Sequence, residues 1–460
     1  MNPNKNLSTE TLKLIVLISG INSIYLSILN AFSFSNFLYP SNYIFNSDLF
    51  ADFIKVVVSY PGAKNLVLNP DFGLVATFTD YIGNNPYKGI DGLGAGVLTH
   101  FHLPPFTTLV SLTSLYLMHF FPPQLVFYFG LVLLVIALYK LFGFVIESPI
   151  EKLIWGLCFI LSYPFLFLLQ RGNLFSGITT MLIIFFTFCI LKNKKILLGL
   201  ICMAVAINIR PNAVFFLPIL LLSTNCRWLI RLLGLFLLVT TIFVLSTFMA
   251  ASIYQDYSLI NFIKGLAIYH EGYIVGAAGD AYNSSFFSLL KMIFGYSWFI
   301  ETIGSLSGFL IIVISVVSYI NNRIDSTTLI FMLCVAYMCG STTFADYHLL
   351  IFMLPILMIR LDQGRFNDSQ KCTDSFLYAR LIIFWACIFI LSPKNYLFDN
   401  NGISIFVLLN PLVAIFSVSL LFLIKILPPG RGGLVCSLNS RINESQISFF
   451  TKRTNSQLEG

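Results

Sequence analysis

Residues 174–195, which read LFSGITTMLIIFFTFCILKNKK, decide the fold class of this chain. The run 174–191 contains no charged residue, and lysines at 192, 194 and 195 follow it directly. A helix needs about 20 apolar residues to cross a bilayer, and short cytoplasmic loops are rich in Lys and Arg. The stretch therefore predicts a transmembrane helix that ends on the cytoplasmic side.

The composition of the whole chain agrees with this interpretation. Of the 460 residues, 57% are hydrophobic and only 10% are charged, and the mean hydropathy is +0.85. Soluble domains carry about 25% charged residues, so a water-soluble globular protein is excluded, and so is a disordered chain. The net charge of +7 agrees with the excess of Lys and Arg that cytoplasmic loops of membrane proteins carry. The sequence has no basic patch with interleaved aromatic residues, which would indicate binding of nucleic acid.

Similar apolar runs recur along the chain and predict an all-α polytopic membrane protein with about 11 to 13 transmembrane helices. The first run, 14–34, is too long for a cleavable signal peptide and predicts a signal anchor. The other predicted spans are 105–120, 122–146, 151–169, 174–191, 195–209, 212–224, 228–253, 303–320, 328–340, 349–361, 376–391 and 403–426.

Basic residues in the short loops predict the orientation of these spans in the cell (inner or plasma) membrane. The predicted cytoplasmic segments are the N-terminus, Lys192–Lys195, Arg227 with Arg231, Arg323, Arg360–Lys371 and the tail 427–460, which we expect to be disordered. The predicted outer segments are a large first loop 34–104, a second loop 254–285, and the short connections 170–173, 210–211 and 341–348. Residues 1–426 then form one transmembrane domain. Simple alternation through 105–169 would place 170–173 on the cytoplasmic side, so one segment there should not be a simple span.

Two carboxylates begin the first outer loop, in the stretch Asn46–Lys55. Asn46 or Ser47 would cap a short helix, and Asp48 and Asp52 would then lie one turn apart on one side of it. A carboxylate whose pKa is raised by a neighbouring carboxylate is a candidate general base. The alternative is two acids placed in a first helical turn by the helix dipole.

The same loop holds a turn with Tyr87 and, before two prolines, His102, both candidate substrate contacts. Two further polar stretches interrupt apolar runs. The first contains Gln170, Arg171 and Asn173, before the predicted span 174–191. The second contains Arg210, directly after the predicted span 195–209. A guanidinium matches a phosphate through two parallel hydrogen bonds, whereas the alternative is an arginine that reaches the headgroups.

The last cluster, 341–348, contains Asp346, Tyr347 and His348 directly before a predicted span. Asp346 and His348 are candidates to orient one another, since a carboxylate can hold an imidazole in one tautomer; the alternative is a polar turn between spans. The nine cysteines form no CxxC pair, and neither a disulfide framework nor a metal site is expected.

In this order, the polar motifs resemble those of membrane glycosyltransferases of the GT-C fold, and of glycosyltransferase family 87 in particular. The motifs are SDLFADF at 47–53, NPY at 85–87, HLPPF at 102–106, QRGN at 170–173, RPN at 210–212 and ADYHLL at 345–350. The resemblance covers residues 14–425. It implies a GT-C-like bundle similar to polyprenol-phosphate-mannose-dependent α-1,2-mannosyltransferases.

What the resemblance implies for function is a hexosyltransferase that uses a polyprenyl-phosphate sugar as co-substrate, without any other cofactor. Asp48 would be the base, with Asp52 as its rival, and Arg210 and Arg171 would face the donor phosphate. His348 would lie at the reaction centre, and the acceptor would be a glycolipid or glycan. The chain departs from the family pattern at Leu103, where tyrosine is common.

Two other classes of function remain open at this stage. An envelope polysaccharide polymerase or ligase would also carry Arg and His in a large outer loop, but late in the chain rather than first. A secondary transporter would show charged residues near span centres and repeated halves, which the sequence does not display.

Overall fold

The computed structural model describes residues 104–110, 117, 123–146, 148–171, 173–192, 194–222, 228–253, 259–275, 283–365, 374–392 and 405–426. Within these ranges the chain is helical, and the one bridge is an isolated antiparallel pair between Asn283 and Ala345. The prediction of an all-α fold is confirmed. Most of the first outer loop and the tail 427–460 lie outside the described residues.

After a short helix at 105–110, the α-helices are α1 (Pro123–Val145), α2 (Pro149–Ile160), α3 (Tyr163–Arg171), α4 (Leu174–Leu191), α5 (Ile196–Ile209), α6 (Trp228–Ile253), α7 (Leu259–Tyr269), α8 (Phe286–Phe294), α9 (Trp298–Ile320), α10 (Ser326–Gly340), α11 (Met353–Arg365), α12 (Asp374–Leu391) and α13 (Ile405–Leu421). Two 3-10 helices, Pro211–Leu222 and Asp346–Phe352, and two π-helices, His270–Val275 and Phe422–Ile426, complete the described elements.

Three of these helices are long and apolar enough to cross a membrane: Leu174–Leu191, Trp228–Ser252 and Trp298–Ile320. The helix Leu174–Leu191 is mostly buried, whereas the other two expose apolar side chains along most of their length. Lipid is the solvent in which such surfaces are stable, because apolar area exposed to water is unfavourable. The structure thus supports a membrane-embedded protein. The total of about 11 to 13 spans stays a prediction.

Helix α10 is the centre of the bundle, and every side chain in 327–339 is buried. Its last residue, Gly340, packs directly on Gly308 of α9, where a Cβ atom would overlap the Gly340 backbone. Small residues that let two backbones approach are the usual basis of helix packing in membranes, where burial of apolar area provides no driving force. Helices α9 and α10 are therefore held together by close van der Waals packing of their backbones rather than by the hydrophobic effect.

The predicted span 151–169 is wrong as one continuous helix, since the chain breaks between α2 and α3 at residues 161–162. Pro164 has no N–H to donate to Ile160, which favours an interruption of the α-helix at this point. At the start of α2, Glu151 forms an ion pair with Arg360. At the end of α3, the chain reaches Asn173. Helices α2 and α3 together thus run from one end of the bundle to the other.

Of the predicted span 105–120, the structure describes residues 105–110 and 117, so this crossing stays a prediction. Thr107 donates a hydrogen bond to the carbonyl of Ile209 at 3.3 Å, beside Arg210. Helix α1 starts at the same end, because a Cβ atom at Gly130 would touch Leu174, whereas one at Gly143 would lie near Lys152. Thr107 and the start of α1 therefore lie at the same end of the bundle.

Two other predicted elements take a different helical form. The span predicted at 212–224 is the 3-10 helix Pro211–Leu222, and the span predicted at 349–361 begins earlier, as the 3-10 helix Asp346–Phe352 before α11. The predicted loop 254–285 contains α7 and a π-helix. Long 3-10 segments are uncommon and often mark functional parts of helical proteins.

Candidate functional site

The polar residues gather where α3, α4 and α5 end or begin beside the 3-10 helix Asp346–Phe352. Asn173 caps α4, and its Oδ1 accepts a hydrogen bond from the Ser176 amide at 3.2 Å. Asn is among the preferred capping residues because its side chain satisfies an N–H that the helix leaves unpaired. Arg210 ends α5 in an extended conformation, which Pro211 imposes on the residue before it. Local sequence signals thus place both residues.

Arg210, Asn173, Ser176 and His348 form one hydrogen-bonded group, here called the Arg210 cluster. The Arg210 Nη2 atom donates to Ser176 Oγ at 3.2 Å and to Asn173 Oδ1 at 3.4 Å. Ser176 Oγ donates to Asn173 Oδ1 at 3.0 Å, and His348 Nε2 lies 3.2 Å from the same hydroxyl. The cluster joins α4 and the end of α5 to the 3-10 helix Asp346–Phe352, which is more than 100 residues away in sequence.

His348 is held through one of its two ring nitrogens. Its Nε2 lies 3.2 Å from Ser176 Oγ, and the tautomer of the imidazole sets which of the two groups donates. The other ring nitrogen, Nδ1, is buried without a hydrogen-bond partner among the described residues.

Asp346 belongs to a second group, here called the Asp346 cluster, with Tyr163, Ser284 and Asn410. The fully buried carboxylate accepts hydrogen bonds from Tyr163 Oη at 2.7 Å and from Ser284 Oγ at 2.5 Å. Asn410 Nδ2 donates to Ser284 Oγ at 3.0 Å. Hydrogen bonds to a carboxylate are among the strongest in proteins, which makes burial of this charge tolerable.

The expectation that Asp346 orients His348 is wrong. The carboxylate of Asp346 bonds to Tyr163 and Ser284, whereas the imidazole of His348 bonds to Ser176. Both residues lie in a 3-10 helix, which has three residues per turn, so side chains two positions apart point about 120° away from each other. The two residues thus serve separate polar clusters.

Residues 283–285 are fastened to residues 342–346 by a set of hydrogen bonds. The Phe344 amide donates to Asn283 Oδ1 at 2.8 Å, and the Ser284 amide donates to the Phe344 carbonyl at 2.8 Å. Asn283 Nδ2 donates to the Thr342 carbonyl at 2.8 Å. The end of the predicted outer loop 254–285 therefore lies against the predicted outer connection 341–348.

Aromatic rings enclose His348 on several sides. Tyr347 packs edge-on against it with ring centroids 4.7 Å apart, and Phe344 and Tyr337 lie at 5.3 Å and 6.1 Å. Tyr347 also stacks on Phe167 of α3 at 6.0 Å. These rings exclude water from the imidazole, which strengthens the electrostatic effect of nearby charges.

The structure brings five of the predicted site residues together at one end of the bundle: Asn173, Arg210, Asp346, Tyr347 and His348. Gln170 and Arg171 belong to the last turn of α3, just before Asn173. Four predicted residues lie outside the described part of the chain: Asp48, Asp52, Tyr87 and His102.

Sequence reasoning missed Tyr163, Ser176, Ser284 and Asn410. The best available signal was Asn410, which precedes a proline inside an apolar run and is fully buried. A polar side chain at such a position requires a polar partner in the bundle. The two serines carried no signal, because serine is common in apolar helices and often bonds its own backbone.

The arrangement brings the Arg210 guanidinium, the buried His348 imidazole and the buried Asp346 side chain to one end of the bundle. Among the described residues, no three His, Cys, Asp or Glu side chains are close enough together to hold a metal ion. The expected independence from metals stays a prediction. What the cluster can do chemically is bind an anion through Arg210 and hold it in a region from which aromatic side chains exclude water.

Comparison of the chain with protein-family models, with curated proteins and with solved structures returned no match, so a proposal about function rests on the chemistry of this site.

Proposed function

We propose that this protein is an integral membrane hexosyltransferase that uses a polyprenyl-phosphate sugar. It moves a hexose, with mannose as the first candidate, to a lipid- or glycan-linked acceptor on the outer face of the membrane. The observation that carries the proposal is the Arg210 cluster, in which a guanidinium lies at the end of the apolar helix α5 and shares a serine hydroxyl with a buried imidazole.

The position of Arg210 favours an anionic ligand. The hydrogen bonds of its side chain to Asn173 and Ser176 both use Nη2, and the guanidinium has three further N–H donors for a phosphate. The guanidinium of Arg210 contacts Asn173 at the N-terminus of α4, where the helix dipole favours an anion. A phosphate bound there would satisfy both the guanidinium and the helix.

The reaction that fits these groups is a single displacement with inversion. The acceptor hydroxyl gives its proton to Asp48 while its oxygen forms a bond to the anomeric carbon of the hexose. The bond from that carbon to the phosphate oxygen breaks, and polyprenyl phosphate leaves with the bonding electrons. Preorganised cations stabilise the charge that develops on such a leaving group, which is the role proposed for Arg210 with Arg171.

A direct test uses the purified full-length protein in liposomes with a panel of polyprenyl-phosphate hexoses and a cell-envelope lipid extract. Mass spectrometry should detect a lipid or glycan that has gained one hexose. Arg210→Ala should abolish most of this product, whereas Arg323→Ala, at the opposite end of the bundle, should retain it. Product formed from a nucleotide sugar, but from none of the polyprenyl donors, would contradict the proposal.

A further inference from the structure

Two short helices, α7 and α8, are fastened to the same end of the bundle as the Arg210 cluster. At the end of α7, Tyr269 Oη donates to Thr343 Oγ1 at 3.1 Å. At the start of α8, the cap Ser285 donates to the Thr342 carbonyl at 3.2 Å. With 11 and 9 residues, the helices are about 17 and 14 Å long, roughly half of the hydrocarbon thickness of a bilayer.

Both helices expose apolar side chains. On α7 the exposed side chains include Leu259, Ile260 and Ile263, with the exposed Lys264 next to them. After α8 the chain turns at Gly295, whose φ is +75°, and reaches Trp298, whose side chain is 75% exposed. Glycine adopts a positive φ without steric cost, so Gly295 favours this turn.

Polar contacts hold this apolar surface in place. The His270 imidazole, directly after α7, lies 2.9 Å from the Glu301 carboxylate in the first turn of α9. Tyr296, in the turn before α9, donates to the same carboxylate at 3.2 Å. The end of α7 and the turn after α8 are thus joined. The exposed apolar side chains of α7 and α8, with Trp298, are here called the ledge.

The ledge is continuous with a surface that faces lipid. Trp298 begins α9, one of the three helices long and apolar enough to cross a membrane, and Phe309 and Val313 continue the exposed apolar surface along it. Trp and Tyr concentrate where a membrane helix meets the interface. Short helices with one apolar face and a basic residue beside it lie in the plane of that interface.

We propose that α7, α8 and Trp298 form an interfacial ledge that lies in the boundary between headgroups and acyl chains of the phospholipid leaflet on the Arg210 side. Lys264 reaches the lipid phosphates from this ledge. The ledge holds the Arg210 cluster at the depth of the headgroups, where the phosphate of any lipid-linked molecule also lies. This inference is independent of the transferase reaction proposed above.

Depth-dependent fluorescence quenching tests the ledge. The chain has four tryptophans, and replacement of Trp155, Trp228 and Trp385 by Phe leaves Trp298 as the one emitter. The matched control retains only Trp385, which is exposed inside α12 about 9 Å from its end. In liposomes, bromine near the headgroups should reduce Trp298 emission more than bromine near the acyl-chain ends. The order should reverse for Trp385.

The reverse order for Trp298 would overturn the proposal, because the ledge would then lie in the hydrocarbon core. Absence of quenching by either lipid, together with cross-linking between two copies through this surface, would assign the ledge to a dimer interface instead. If the triple replacement does not fold, a spin label on Lys264→Cys in the otherwise native chain gives the depth independently. A label that is accessible to a water-soluble relaxation agent and not to oxygen dissolved in the bilayer would also overturn the proposal.

Discussion

The guanidinium of Arg210 donates a hydrogen bond to Ser176 Oγ at 3.2 Å and so joins the end of α5 to the first turn of α4. The same serine hydroxyl contacts His348 Nε2 at 3.2 Å. Ser176 therefore connects the Arg210 guanidinium to the His348 imidazole. A substitution at any of these three residues should change the hydrogen bonds of the other two.

The role of Arg210 can be tested by graded substitution. Arg210→Lys keeps the charge and loses the planar fork of donors, so use of the donor should weaken without disappearing. Arg210→Ala removes both, and the rate should fall by about 10²–10³, as expected for loss of one preorganised donor. Initial rates at varied donor concentration measure both effects, with Arg323→Lys as the matched control. Unchanged donor dependence in well-folded Arg210→Ala would make this residue an anchor at the headgroups.

The two carboxylates of the first outer loop should differ in their effect on turnover. Asp48→Asn is nearly isosteric and removes the ability to accept a proton, so turnover should fall by about 10²–10⁴ while donor binding persists. Asp52→Asn should be milder and chiefly raise the acceptor concentration that is required. Turnover and donor binding are measured on the same preparations. The reverse ranking would identify Asp52 as the base, and near-normal turnover of both variants would refute a carboxylate base in this loop.

Asp346 is predicted to stabilise the fold through its two hydroxyl donors. Asp346→Asn replaces one acceptor by an NH₂ group, which faces a hydroxyl that donates, and the free energy of unfolding should fall by about 1–3 kcal/mol. Asp325→Asn is the matched control: Asp325 caps α10 by accepting from the Thr328 amide, and Asn caps equally well. Thermal unfolding in detergent compares the two variants. Equal midpoints would show that the buried hydrogen bonds of Asp346 do not contribute to stability.

The orientation of the bundle can be measured with single cysteines in a background that lacks the native ones. Glu271 and Asn321 are both exposed and lie at opposite ends of the bundle. Glu271→Cys should react with an impermeant maleimide added to intact cells, since the Arg210 side is predicted to face outward. Asn321→Cys, near the basic Arg323, should react only after permeabilisation. Labelling of Asn321→Cys from outside would reverse the topology and place the candidate site in the cytoplasm.

How far the fold could be predicted depended on the kind of signal. The apolar run Trp228–Ile253 was predicted with its observed ends, because a helix in lipid must be long and apolar. The run 151–169 was not, although Pro164 was visible in the sequence. Hydropathy averages over a window and does not register a single missing N–H.

The sequence by itself determined the helical, membrane-embedded class of this protein and the candidate positions Asn173, Arg210 and His348, because composition and the rarity of polar groups in apolar runs act locally. Only the tertiary structure decided which of these groups meet. Ser176 joins Arg210 to His348, and Tyr163 and Ser284 join Asp346, across separations in sequence that no local pattern encodes. The physical reason is that a buried polar atom must find a hydrogen-bond partner, and helix packing alone selects the partner that lies within reach.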